Sequence, residues 1–165
     1  MKKISIVYGS TTGNTENAAL AIAAALGAEA VNVASASAAD FDAELLILGS
    51  STWGVGDLQD DWAGAIDRLD RIDLGGRKAA VFGTGDQSGF GDSYCSALAV
   101  LAAKLRERGA TLIGQTSTDG YSFSASDAVR DGKFVGLALD EDNQPEQTAG
   151  RIAAWVAVLK KEAGM

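Results

Sequence analysis

Hydrophobic and polar positions alternate along this chain in two rhythms. Short apolar runs at Ile4 to Tyr8, Ala30 to Val33, Glu44 to Ser50 and Lys78 to Thr84 are bounded by glycine or polar turns. The run through Leu45-Leu46-Ile47-Leu48 is uninterrupted, as in a central strand buried on both faces. Between the runs, apolar residues recur three or four positions apart. Thr15 to Leu26 puts Ala18, Ile22 and Ala25 or Leu26 on one helical face and stops at Gly27. Two further helices are predicted from about Asp60 to Leu69 and from about Ser93 to Arg108. A last one starts near Asn143 or Gln144, with Pro145 in its first turn and Ile152, Trp155, Val156 and Leu159 toward the core. Trp62, Trp155 and Tyr8 fall within these apolar patterns and read as core, and Cys95 as a small helix residue.

A fifth strand is interrupted. Ala110 to Gly114 begins it and Phe134 to Leu139 resumes it. The polar stretch Gln115 to Gly132 between them reads as an insertion, a surface loop pinned by Tyr121 and Phe123, with a small hairpin as the alternative. Strands alternating with helices predict an α/β fold, a doubly wound parallel sheet with right-handed crossovers and helices on both faces.

Composition narrows the function. A chain of 165 residues with 47% apolar content predicts a single domain, residues 1–165. No apolar run reaches the roughly 18 residues of a membrane span, so a soluble, cytoplasmic protein is expected; it is also expected to be a monomer. The lone Cys95 has no partner for an internal disulfide, and the lack of histidine excludes a histidine-based zinc site or triad. A net charge of −8 repels nucleic acid and anionic lipid and favours a basic protein partner through long-range steering.

The chemistry concentrates in loops that follow strands. Gly9-Ser10-Thr11-Thr12-Gly13-Asn14-Thr15 joins the first strand to the first helix. Helix-terminal amides have no intrahelical acceptor and the peptide dipoles make that end partly positive, so an anion fits without a cation beside it. Four hydroxyls supply neutral donors. A nucleoside-triphosphate loop needs a Lys after its second glycine, where this chain has Asn14, so a terminal monophosphate is the expected ligand. An ordinary capped turn is the competing reading of the loop alone. The third strand ends in Ser51-Thr52-Trp53-Gly54-Val55-Gly56-Asp57, a tight turn beside a large aromatic. The fourth ends in Gly85-Asp86-Gln87-Ser88-Gly89-Phe90-Gly91-Asp92, glycine-rich and again carrying one aromatic.

These motifs resemble the long-chain flavodoxins over essentially the whole chain. Gly9 to Thr15 resembles that family's phosphate loop for flavin mononucleotide (FMN). Thr52-Trp53 and Gly83-Thr84-Gly85-Asp86-Gln87 resemble its two flavin loops, Asp119-Gly120-Tyr121 lies in the insertion typical of long-chain members, and Phe134 to Gln144 resembles the segment resuming strand five. The resemblance implies a five-stranded sheet of order 2-1-3-4-5 with the ligand where the order reverses; flavodoxin is itself the standard example of that rule. It also implies that Ser10, Thr11, Thr12, Gly13, Asn14 and Thr15 hold the FMN phosphate. Ser51, Thr52, Trp53, Gly54 and Val55 would cover one flavin face, Thr84, Gly85 and Asp86 would meet the pyrimidine edge, and Phe90, Gly91 and Asp92 would form the outer wall, with Asp142 nearby. Many members have Tyr where this chain has Phe90, so stacking is kept and a phenol hydroxyl is lost.

The implied function is a low-potential one-electron carrier with noncovalent FMN, shuttling between a reductase and an electron acceptor, both basic redox proteins, rather than an enzyme. An FMN-dependent quinone or azo reductase on the same fold is the alternative. It calls for an open flavin face, against which Trp53 and Phe90 argue.

Overall fold

The computed structural model describes residues 1–165. Strand β1 (Lys2–Gly9) leads into α1 (Asn14–Leu26), followed by β2 (Ala30–Asn32) and the longest strand, β3 (Ala43–Trp53). A two-residue β4 (Asp57–Leu58) folds back on β3 and precedes the short α2 (Asp60–Ala63). Then come β5 (Lys78–Thr84), α3 (Ala97–Glu107), β6 (Thr111–Leu112), β7 (Thr116–Ser117), β8 (Val129–Arg130), β9 (Lys133–Phe134), β10 (Leu137–Leu139) and α4 (Thr148–Ala163).

The main sheet runs β10-β5-β3-β1-β2, and every pairing along that path is parallel. Both halves of the interrupted strand lie on β5: β6 beside Lys78 and Ala79, β10 beside Phe82 to Thr84. Counted as one strand they give the order 2-1-3-4-5. Side chains alternate across the sheet, so Leu45 and Ile47 of β3 join Ile22 of α1 and Trp155 of α4 in one core layer. Leu46 and Leu48 face the other way, onto Trp62, Leu98 and Leu101. Burying each such Leu or Ile contributes about 1.5–3 kcal/mol, which is why an uninterrupted apolar run is stable only at the centre of a three-layer stack.

Two local expectations are corrected and two open alternatives are decided. The helix over Asp60 to Leu69 stops at Gly64 and continues as a 3-10 helix from Ile66 to Arg71. Glycine is a weak helix former, and Arg68 is drawn to the carbonyls of Val33 and Ala36 and lies 5.5 Å over the Phe41 ring. The helix expected from Ser93 begins instead at Ala97. Cys95 is not helical but sits in a turn at φ 50°, because Tyr94 is drawn into an aromatic cluster with Tyr121, Phe123 and Phe134. Of the two readings of residues 115–132 the small hairpin forms at the end of the segment, where β8 and β9 reverse at Asp131-Gly132 and β7 adds a third antiparallel strand; Tyr121 and Phe123 in the stretch between do pack against the core. Phe134 therefore pairs with β7 and β8 and not with the main sheet. In α1, of the two residues left open, Leu26 is the one that packs against the core layer and Ala25 is exposed, and the fully buried apolar face is Ala18, Ala19, Ile22 and Ala23. No helix is long and apolar enough to cross a membrane.

Candidate functional site

Loops from the carboxyl ends of β1, β3 and β5 meet at one edge of the sheet, at the point where the strand order reverses. In the first, Gly13 holds the N-cap position of α1 and no side chain caps the helix. Its leading amides are therefore free to donate to a ligand. The four hydroxyls are already sorted. Ser10 Oγ accepts from the Gly13 amide at 3.2 Å, Thr11 Oγ1 accepts from Gln59 Nε2 at 3.1 Å, and Thr15 Oγ1 shares a buried 2.9 Å hydrogen bond with Thr84 Oγ1. Only the Thr12 hydroxyl, on an exposed residue at the mouth of the cavity, has no protein partner.

Gln59 straps this loop to the next one. It is 2% exposed; its amide donates to Ser50 Oγ at 3.1 Å, and its carboxamide bonds both Thr11 and Asp61. A Cβ on Gly9 would lie 2.3 Å from Gln59 Oε1 and 2.7 Å from Trp62 Cδ1, so the strap closes only over glycine.

In the second loop, Trp53 is 41% exposed and its indole N–H donates to Ser51 Oγ at 2.8 Å, which fixes the ring's orientation. The chain reverses through Gly54 at φ 54° with Val55, 85% exposed, at the tip. Trp53 pairs with Asp57, so the loop is three residues long; its two glycines take the positive φ, Gly56 at 90°, and β-branched Val55 between them is spared it.

The third loop carries Asp86 and Phe90. Asp86 accepts from the amides of Gly89 and Ser88 and from Asn143 Nδ2, and these bonds, that of Gly89 foremost and that of Asn143 next, hold its carboxyl below the usual range. Behind it, fully buried Asp140 accepts from the Gln87 amide and carboxamide and from the amides of Asp142 and Asn143. The insertion braces the same loop. Ser122 N donates to Gln87 Oε1, and the amides of Ser124 and Ala125 both donate to Gly91 O, at 2.7 and 3.0 Å. Phe90, next to that anchor, is 53% exposed. Asp142 is pushed up by burial and then by the charges of Asp86, Asp140 and Glu141. Oxygens of Asp86, Asp140 and Asp142 lie within 4.8 Å of one another, a repulsion offset by the amide donors just described.

The three loops enclose a cavity of about 110 Å³ lined by Thr12, Asn14, Ser51, Thr52, Trp53, Gly54, Thr84, Gly85, Asp86, Phe90 and Asp142. All eleven are among the residues singled out from the sequence. Ser10, Thr11, Gly13, Thr15, Val55, Gly91 and Asp92 do not line it: the hydroxyls of three are hydrogen-bonded within the protein, Gly91 faces the insertion, and Val55 and Asp92 are exposed. Larger cavities of about 550 and 420 Å³ lie elsewhere, at the chain termini and beside Phe41, but neither meets an uncapped helix start or an exposed aromatic ring. Volume is therefore the poorer guide here, and convergent donors the better one.

An uncapped helix start, two exposed aromatic walls and the switch point of the sheet thus share one cleft, and the sequence profile of the flavodoxin family matches residues 6–155. The chain belongs to the flavodoxin family. It is 46% identical over 168 residues to a flavodoxin of Nostoc sp., covering 99% of both chains. With a Picosynechococcus sp. flavodoxin it shares 48% identity over 170 residues and all of both chains. The crystal structure of Fusobacterium nucleatum flavodoxin bound to flavin mononucleotide superposes with a TM-score of 0.92 at 35% identity, over 98% of this chain and 99% of that one.

As a flavodoxin, the chain also holds its loops by residues that sequence reasoning passed over: Gln59, Gln87, Asp140 and Asn143. Gln59 stands at a helix start just before Asp60-Asp61, a capping signal that was legible. Asp140 and Asn143 belong to an acidic run directly after a buried strand, where a polar cluster marks a loop but not its partners.

Proposed function

We propose that the cleft holds FMN without a covalent bond and that the protein carries single electrons at low potential between protein partners, performing no reaction on a bound organic substrate. One observation carries this reading: the uncapped, cation-free start of α1 opens into the same cavity as the exposed rings of Trp53 and Phe90. That donor set suits a phosphate monoester at one end and a planar ring at the other. When bound, the flavin supplies the redox chemistry.

The chain's own residues set the conditions. Amides at the start of α1 and the Thr12 hydroxyl would hold the phosphate oxygens, and Trp53 and Phe90 would keep water from the ring faces. The carboxylates of Asp57, Asp86, Asp92 and Asp142 make further negative charge unwelcome at this edge. One charge about 10 Å away at an effective dielectric of about 20 amounts to about 1.7 kcal/mol, roughly 70 mV for one electron. Several such charges would separate two successive one-electron steps.

Basic redox proteins are the partners this surface fits, with the protein working as a cytoplasmic monomer. In support, Asp57, Asp60, Asp61, Asp92 and Asp142 surround or adjoin the cleft, and none is engaged in an ion pair. The purified protein should be yellow and should release FMN on denaturation. Rapid stoichiometric reduction by NADPH alone, with no reductase present, would overturn the carrier reading in favour of an enzyme.

A further inference from the structure

We infer that the far end of the molecule carries a second anion site, built from Arg106, Arg130 and Lys133, that takes a compact di- or polyphosphate. These three line a cavity of about 470 Å³ together with Gln115 and Asp131 only. Three cations against one carboxylate leave a local surplus of two positive charges in a chain of net charge −8. None of the three makes an ion pair; the salt bridges of the molecule use Met1, Lys2, Arg77 and Lys104.

The backbone holds these charges together. Arg130 and Lys133 are direct cross-strand partners in the β8–β9 hairpin, an arrangement that is unfavourable for like charges. The two-residue reversal at Asp131 and Gly132, with φ of 54° and 79°, keeps them in register. Arg106 lies in the last turn of α3, where the helix dipole favours a cation. That accounts for one positive charge and not for two more facing it. Burial, and after it the Arg130 guanidinium, depress the Arg106 pKa, so the two groups feel each other.

A phosphate-class ligand resolves the repulsion. Guanidinium forks and an ammonium match phosphate oxygens in geometry and charge. No apolar residue lines the cavity, so neither a ring-bearing ligand nor the aromatic anchor of a protein partner finds a wall. The site is also separate from the flavin cleft. The Ala97 amide, at the other end of α3, donates to Thr52 Oγ1 beside Trp53, and the 11 residues of α3 span roughly 16 Å.

The test uses FMN-loaded protein, so that the loop at Ser10 to Thr15 is occupied. Amide resonances are followed by NMR while inorganic pyrophosphate is added at constant ionic strength. Saturable shifts are expected at Arg106, Gln115 and Arg130 to Lys133, with binding at least tenfold weaker in Arg130→Gln and in Lys133→Gln. Pyrophosphate should raise the melting temperature of the parent protein and not of either variant. Since these side chains make no hydrogen bond in the fold, both variants should melt at or above the parent temperature without anion. Non-saturating shifts reproduced by chloride, affinity unchanged in the variants, or variants that melt below the parent would each overturn the site.

Discussion

Thr12→Val isolates phosphate recognition from fold stability, because Thr12 is the one loop hydroxyl with no partner inside the protein. Removing it leaves one oxygen of a bound phosphate without a donor. For a charged acceptor that loss is about 1.5–3 kcal/mol, or roughly 10- to 150-fold in affinity. Riboflavin has no phosphate, so its affinity should stay within about twofold of the parent's. The unliganded variant should also melt normally: an exposed substitution that breaks no contact stays within about ±0.5 kcal/mol, about 1–2 °C for a domain of this size. Thr15→Val is the informative contrast. It orphans the buried Thr84 hydroxyl at a cost of about 1–3 kcal/mol, lowering the melting temperature and weakening both ligands through the fold. The assay is quenching of flavin fluorescence on titration into unliganded protein, paired with thermal unfolding of the same samples. If Thr12→Val weakens FMN and riboflavin equally, or leaves FMN binding untouched, the loop does not act as a neutral phosphate cradle.

Phe90→Ala removes a ring wall and should weaken FMN and riboflavin by the same factor, about 1 kcal/mol or roughly fivefold; selectivity for one ligand in the same titration would refute the wall. Electron transfer to a basic partner should slow as salt shortens the Debye length from about 10 Å at 0.1 M, and stopped-flow rates independent of salt would remove the acidic rim from docking. Asp142, whose pKa the fold raises, opposes folding once ionised. Asp142→Asn should therefore raise the melting temperature of unliganded protein at neutral pH, with the gain fading below about pH 4 as the parent carboxyl takes up its proton in both states. The lowered Asp86 runs the other way: its contribution is present above the ordinary carboxylate pKa and is lost as pH falls through its depressed value. Melting curves of Asp142→Asn and Asp86→Asn against pH separate the two signs.

Where the decisive interactions lie close in sequence, the chain announced its own structure. The strand, glycines, hydroxyls and helix of residues 4 to 26 are neighbours, so the strand-loop-helix unit and its uncapped helix start could be read directly. The continuous run Leu45 to Leu48 demanded a strand covered on both faces, and with it the layered α/β architecture. Asp131-Gly132 was a legible hairpin signal as well, though the segment around it reads first as loop because its strands are only two residues long. Other features had no local cause. Tyr94 leaves a helical pattern because Phe123 and Phe134 offer its ring a buried surface, a larger gain than one helical turn. Thr15 withdraws from the cleft to meet Thr84, 69 residues away, Gln59 reaches back 48 residues to Thr11, and Asp140 gathers Gln87 across 53. Propensity and periodicity act over a few neighbours, whereas a buried donor takes whichever acceptor the packed sheet brings within about 3 Å. Which loops carry the candidate residues was therefore written in the chain, and which of those residues face the cleft was decided only when its strands came together.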